Sequence, residues 1–187
     1  MITLTFGLLP LVMAAQLQNA DFEQWQEPVN PELIMANKPT GWICDNGVGF
    51  ETEDILFYNP PASQAQNGDY ALTLSVWYHY AKDMARQTAS VIAKPLVFKG
   101  FYKYTENVVR NNANEDIEDT AVVTVYATRW NMLTGQRDTI GTGQIELTAA
   151  VEFTEFQCPI AYTGNEQPDE VTVLLDCSKV KRNGMDG

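Results

Sequence analysis

Three stretches of the chain hold aromatic side chains where they could stack on the flat face of a ligand. They are Trp77-Tyr78-His79, Tyr102-Lys103-Tyr104 and the run from Tyr126 through Thr128 to Trp130. In an extended strand, residues two apart line one face. Trp77 and His79 are therefore expected on one side of their strand, opposite Leu72, Leu74 and Val76. Tyr102 and Tyr104 form a second pair, and Tyr126 and Trp130 a third with Thr128 between them. Sugar rings present C–H faces that stack on indole and phenol rings, while their hydroxyls seek amide, carboxylate and guanidinium partners. These six residues are the candidate ligand-binding set. The competing role is packing, because aromatics are enriched in strands and their cross-strand pairs contribute about 0.2–1 kcal/mol each.

Catalytic constellations are thin. His79 is the single histidine, and no G-x-S-x-G nucleophile elbow occurs. Gly141-Thr142-Gly143 lies between strand-like runs without the following helix that cradles phosphate, so it is expected to mark a bulge or a close backbone approach. Carboxylates are plentiful, among them Glu51, Glu53, Asp54, Asp116, Glu118, Asp119, Asp169 and Glu170. A glycoside hydrolase needs two of them across a cleft, one with a raised pKa, and sequence does not fix that geometry. Cys44, Cys158 and Cys177 form no C-x-x-C pair, which argues against a Cys/His zinc site. One disulfide with a thiol left over and three buried thiols are both compatible with their spacing.

Charge narrows the partners. The 187 residues carry 24 Asp+Glu against 12 Lys+Arg, a formal net charge of -12. Such a field repels nucleic acid and anionic membrane surfaces, and favours neutral ligands or cations. Residues 1–15 stand apart: Ile2 to Ala15 carry no charge and close on Met13-Ala14-Ala15. That run is too short to span a bilayer and ends on small residues, as a secretory signal does, although it lacks a basic start. The expectation is a signal peptide over 1–15 and a single domain over 16–187, placed outside the cell, in the periplasm or on the cell surface, with no membrane insertion after cleavage. A buried N-terminal strand is the competing reading.

Strands must position the aromatics, since period-two alternation recurs and helical periodicity does not. Strands are predicted at 41–44, 55–58, 70–79, 90–98, 101–104, 121–130, 139–147, 153–162 and 171–177, with one short helical turn possible over 31–36. Asn46-Gly47, Asn67-Gly68, Pro60-Pro61, Gly164-Asn165 and Asn183-Gly184 mark turns and loops. Leu133-Thr134-Gly135-Gln136 reads as a hairpin tip, and the polar stretch 107–119 as a solvated loop. About nine strands without a repeat predict an all-β, two-layer antiparallel β-sandwich of jelly-roll type.

Two sets of motifs carry a resemblance. Asn19-Ala-Asp-Phe-Glu-Gln-Trp25, Pro39-Thr-Gly-Trp42 and Asn67-Gly-Asp-Tyr-Ala-Leu72 resemble the opening of galactose-binding-like jelly rolls, which include carbohydrate-binding modules. Lys99-Gly-Phe-Tyr-Lys-Tyr104, Asp119-Thr-Ala, Ile140-Gly-Thr-Gly143, Phe153-Thr-Glu-Phe156, Pro159-Ile-Ala-Tyr162 and Pro168-Asp169 resemble the carbohydrate metabolism domain of secreted gut-bacterial proteins. The resemblance implies a jelly roll at the cell surface or in the periplasm, attached to carbohydrate-processing systems. Such domains finish on a strand with an Asp-Asp pair that this sequence does not match, so a missing final strand is expected. The resemblance also implies a structural calcium near the N-terminal strand, with Glu23 as its ligand; calcium takes 6–8 oxygens. As a whole, the sequence leads to non-catalytic binding of a glycan or oligosaccharide, with other domains or surface proteins as further partners. A structural or adhesive surface module and a glycoside hydrolase are the two alternatives.

Overall fold

Alternation of β-branched or aromatic residues with polar ones suits a pleated surface with one face covered, and this pattern governs the chain. A computed structural model describes residues 2–5, 17–26, 38–45, 65–74, 76–77, 81–82, 84–105, 107–110 and 115–179. In chain order its strands are β1 (Ile2–Thr5), β2 (Trp25–Gln26), β3 (Lys38–Pro39), β4 (Ile43–Asp45), β5 (Leu72–Leu74), β6 (Val76–Trp77), β7 (Ala81–Lys82) and β8 (Met84–Ser90). They continue as β9 (Val97–Tyr104), β10 (Asn107–Arg110), β11 (Asp116–Asp119), β12 (Ala121–Asn131), β13 (Gln136–Leu147), β14 (Ala150–Pro159), β15 (Ala161–Tyr162) and β16 (Glu170–Asp176). No helix occurs among the described residues.

The larger sheet has six strands in the order β15-β13-β12-β16-β8-β4, and a second has four in the order β14-β9-β1-β5. Each ladder in both is antiparallel. The fold is all-β and sandwich-like: Val123, Val125, Val173 and Leu175 of the six-stranded sheet share one core cluster with Leu72, Leu74, Tyr102, Tyr104, Phe156 and Cys158 of the four-stranded one. Phe156 anchors the second layer, its ring 5.7 Å from that of Phe98 and 6.2 Å from that of Tyr102. Phe22 and Trp42, from the motifs near the N-terminus, lie 5.1 Å apart with their rings tilted and belong to the same core cluster.

The long hairpin β12–β13 forms as its residues dictate. Gly135 has φ +66, and its N–H donates to Asn131 O at 2.9 Å, closing the turn after Leu133-Thr134. The ladder then runs from Asn131↔Gln136 to Ala121↔Leu147, shifting register between Ala127 and Thr128. Gly141 and Gly143 flank a close approach: a Cβ at Gly143 would stand 2.4 Å from Pro159 O, and one at Gly141 2.6 Å from the Tyr162 ring. β15 and the end of β14 can therefore cross this part of the sheet only against glycine.

Two expectations are corrected. The stretch 107–119 is not simply a loop, because β10 and β11 pair with Val109 opposite Ile117 and Val108 opposite Glu118. Its β-branched residues outweigh the polar ones between the arms. The strand expected over 90–98 is instead two strands, β8 ending at Ser90 and β9 starting at Val97. Pro95 lies in the connection and has no N–H for a ladder. The candidates at 31–36 and 55–58, the turns at 46–47, 60–61 and 183–184, and His79 lie outside the described residues.

Candidate ligand-binding face

β12 sorts its side chains by parity. Val123, Val125 and Ala127 point into the core, while Thr124, Tyr126, Thr128 and Trp130 take the other face. Tyr126 is 40% and Trp130 48% exposed, although both belong to a well-paired central strand. Register extends the face sideways. Tyr126 stands opposite Thr142 of β13 and Thr172 of β16, Thr128 opposite Thr139 and Glu170, and Trp130 opposite Arg137. The hydroxyls of Thr172 and Thr88, one strand further on, are 2.8 Å apart. The result is two exposed rings on one strand, separated and flanked by threonine hydroxyls.

One end of this face is held by ion pairs. Arg137 donates from Nη2 to Glu170 Oε1 at 2.7 Å and from Nη1 to Asp169 Oδ1, and its guanidinium lies 5.9 Å from the centre of the Trp130 ring. Asp169 Oδ2 accepts the Trp130 N–H at 2.9 Å, and the Asp169 N–H donates to Thr128 O at 3.0 Å. The Trp130 N–H and then the Arg137 guanidinium hold the Asp169 carboxyl below the usual carboxylate range. Arg129 pairs with Glu166 at 3.6 Å. The guanidinium beside Trp130 is thus answered by carboxylates, while the Tyr126 and Trp130 rings stay exposed among the threonines.

The remaining sequence candidates fall elsewhere. Tyr102 and Tyr104 are buried, 5% and 2% exposed, and belong to the core between the sheets. The Tyr104 hydroxyl donates to Asp119 O at 2.7 Å. Neither can reach a ligand on the outer surface. Lys99, Phe101 and Lys103 occupy the alternate positions of β9, and two lysines on one face already mark the other as the inner one. Trp77 lies in β6, opposite Ala81 of β7, on a ladder separate from the six-stranded sheet. Sequence reasoning missed Arg137, Asp169 and Glu170 as parts of the face. The signal for Arg137 was present: a hairpin tip around Leu133-Thr134-Gly135 puts residue 137 opposite residue 130.

Glu23, the residue that the resemblance implies for calcium, is engaged within the fold. Its Oε1 accepts the N–H groups of Asp69 and Tyr70 at 2.9 and 3.1 Å, which fastens the Asn67-Gly68 turn to the N-terminal segment. Among the described residues no three His, Cys, Asp or Glu side chains gather where a metal could sit. Gly68, at φ +75, makes room for this carboxylate, since a Cβ there would stand 2.1 Å from Glu23 Oε1. Cys44, Cys158 and Cys177 are all buried, and burial pushes the Cys158 thiol up to about 11.

The described fold and face define an all-β protein with antiparallel, sandwich-like sheets and an aromatic–threonine surface on the larger one. No family model matches the sequence, and no curated protein or solved structure matches it either.

Proposed function

We propose that the chain is an exported, non-catalytic carbohydrate-binding module of galactose-binding-like, jelly-roll kind, related to the carbohydrate metabolism domain that its motifs resemble. The observation that carries the reading is the exposure of Tyr126 and Trp130 on one face of β12, amid Thr128, Thr142 and Thr172. Apolar ring faces beside hydroxyls match the two-sided chemistry of a sugar, and the guanidinium beside Trp130 is already paired with Asp169 and Glu170. Catalysis is not part of the proposal. Among the described residues, Glu146 and Asp169 have their carboxyls held low, whereas a glycosidic acid must be held high. The test is a glycan array read with the wild-type chain and with a Tyr126→Ala, Trp130→Ala double variant. Hits on neutral glycans that vanish in a folded double variant support the reading; an array without hits sinks it.

A second reading draws on a different feature. Met132 and Leu133 at the β12–β13 tip are 90% and 98% exposed, an arrangement that suits a surface module adhering to another protein. An array without hits, together with cross-linking of Leu133 to a surface protein of the same cell, would favour it.

A further inference from the structure

The N-terminal segment occupies a place that a cleaved leader would leave empty. β1 lies inside the four-stranded sheet, antiparallel to β9 on one side and to β5 on the other. Ile2 stands in register with Leu74 and Tyr104, and Leu4 with Leu72 and Tyr102. With β1 in place these four neighbours are buried. Removing it would separate β5 from β9 by two strand spacings, about 10 Å, and free the inward-facing ladder groups of both. It would also uncover the apolar side chains that line the gap. Strand edges of that kind recruit another strand.

The slot has a readable preference. Two alternate positions face the buried pairs Leu74/Tyr104 and Leu72/Tyr102 and call for apolar residues. The position between them is that of Thr3, opposite Thr73 and Lys103. Thr73 is buried, and its hydroxyl has no hydrogen-bond partner among the described residues.

We propose that the exported chain, once cleaved near Ala15, is a strand acceptor: the gap between β5 and β9 takes an extended peptide from a partner polypeptide, antiparallel to both. The donated strand carries apolar residues at alternate positions with Ser, Thr or Asn between them. This inference rests on the export reading above and is independent of the glycan face, which lies on the other sheet.

The experiment follows the product released when an exporting bacterial host makes the full chain. Its N-terminus is sequenced, and amide exchange in β5 and β9 is measured before and after adding a synthetic peptide of residues 1–7. A product starting near Gln16 is expected, with those amides of Leu72–Leu74 and Phe101–Tyr104 that point into the gap exchanging fast until the peptide is added, while the β9 amides bonded to β14 stay protected. A peptide carrying Thr3→Pro should bind at least about tenfold more weakly, because proline removes a ladder donor. If the released chain is poorly folded, it is refolded with each peptide; recovery with the first and not the second supports the slot, and recovery with neither overturns it. A cleaved product whose β5 and β9 amides are already protected, and which takes up no peptide, overturns the slot and leaves the export reading standing. A product that keeps Ile2–Thr5 overturns both. Glycan binding by the same product reports on the proposed face separately.

Discussion

Replacing Trp130 by alanine should weaken glycan binding about tenfold while leaving the fold in place. The indole is 48% exposed, so of about 250 Å² on a Trp side chain roughly 120 Å² is available to a ligand. A sugar ring laid on one side covers about half of that. At about 25 cal/mol per Å² the loss is about 1.5 kcal/mol, close to a factor of ten in Kd. Tyr126, at 40% exposure, should cost somewhat less by the same reasoning, about fivefold. The two rings are four residues apart on one strand, about 13 Å, beyond the range at which independent sites couple strongly. If one glycan chain spans both, the double variant should lose roughly the sum of the two free energies, about fiftyfold. Affinity electrophoresis or titration calorimetry against a positive glycan reads the Kd, and thermal melting shows whether the variants remain folded. Stability should fall little, because Trp130 is half exposed and the ion pairs of Arg137 with Asp169 and Glu170 do not involve the ring. An unchanged Kd in both single variants, with wild-type melting, would refute the assignment of this face.

Other consequences concern stability and reactivity. Leu175 is fully buried in the centre of the core, so Leu175→Ala should cost about 2–5 kcal/mol and lower the urea midpoint without changing the slope. Gly68→Ala should destabilise by about 1–3 kcal/mol, both through its φ of +75 and by displacing Glu23 from the Asp69 and Tyr70 N–H groups; Glu23→Gln should give a smaller loss in the same chemical denaturation series. Glu146, hydrogen-bonded first by Lys179 and then by Thr120, and Asp169 both ionise more readily in the folded chain than in the unfolded one. Their stabilisation should therefore be complete above about pH 5 and be lost as the pH falls below about 4 through their lower folded values, a slope that Arg137→Gln should flatten in acid melts. Cys158, with its thiol pushed up to about 11, should resist iodoacetamide at pH 8 in the native chain and react quickly in urea.

The sequence was most legible where two levels of pattern agreed. In β12 the alternation of Val123, Val125 and Ala127 with Thr124, Tyr126 and Thr128 set both the strand and its two faces, and the Gly135 turn set its partner. The stretch 107–119 was misread because composition dominated the reading. Asn and acidic residues describe what surrounds Val108, Val109 and Ile117 in sequence, whereas pairing depends on the few β-branched residues that face each other. The break between β8 and β9 was missed for the opposite reason: apolar residues continue through Val91, Ile92 and Leu96, but Pro95 interrupts the ladder. Ile92 and Leu96 are left exposed there.

For the candidate face, the limiting information was which side of each strand the core would claim. Tyr102 and Tyr126 have similar local surroundings, each an aromatic at an alternate position of a strand-forming run. Their fates diverge because the strands lie in different sheets and turn opposite parities inward. β9 gives Lys99 and Lys103 to solvent, so its tyrosines must fill the space between the layers. β12 has small β-branched and alanine side chains to turn inward, so its aromatics are left outside. Burial of a tyrosine between sheets requires a partner for its hydroxyl, and Tyr104 finds one in Asp119 O. A large ring left exposed on a central strand forgoes the burial that most aromatics gain. Two such rings on one strand, with Thr128 between them and Arg137, Asp169 and Glu170 at one end, are the feature on which the proposed glycan-binding reading rests.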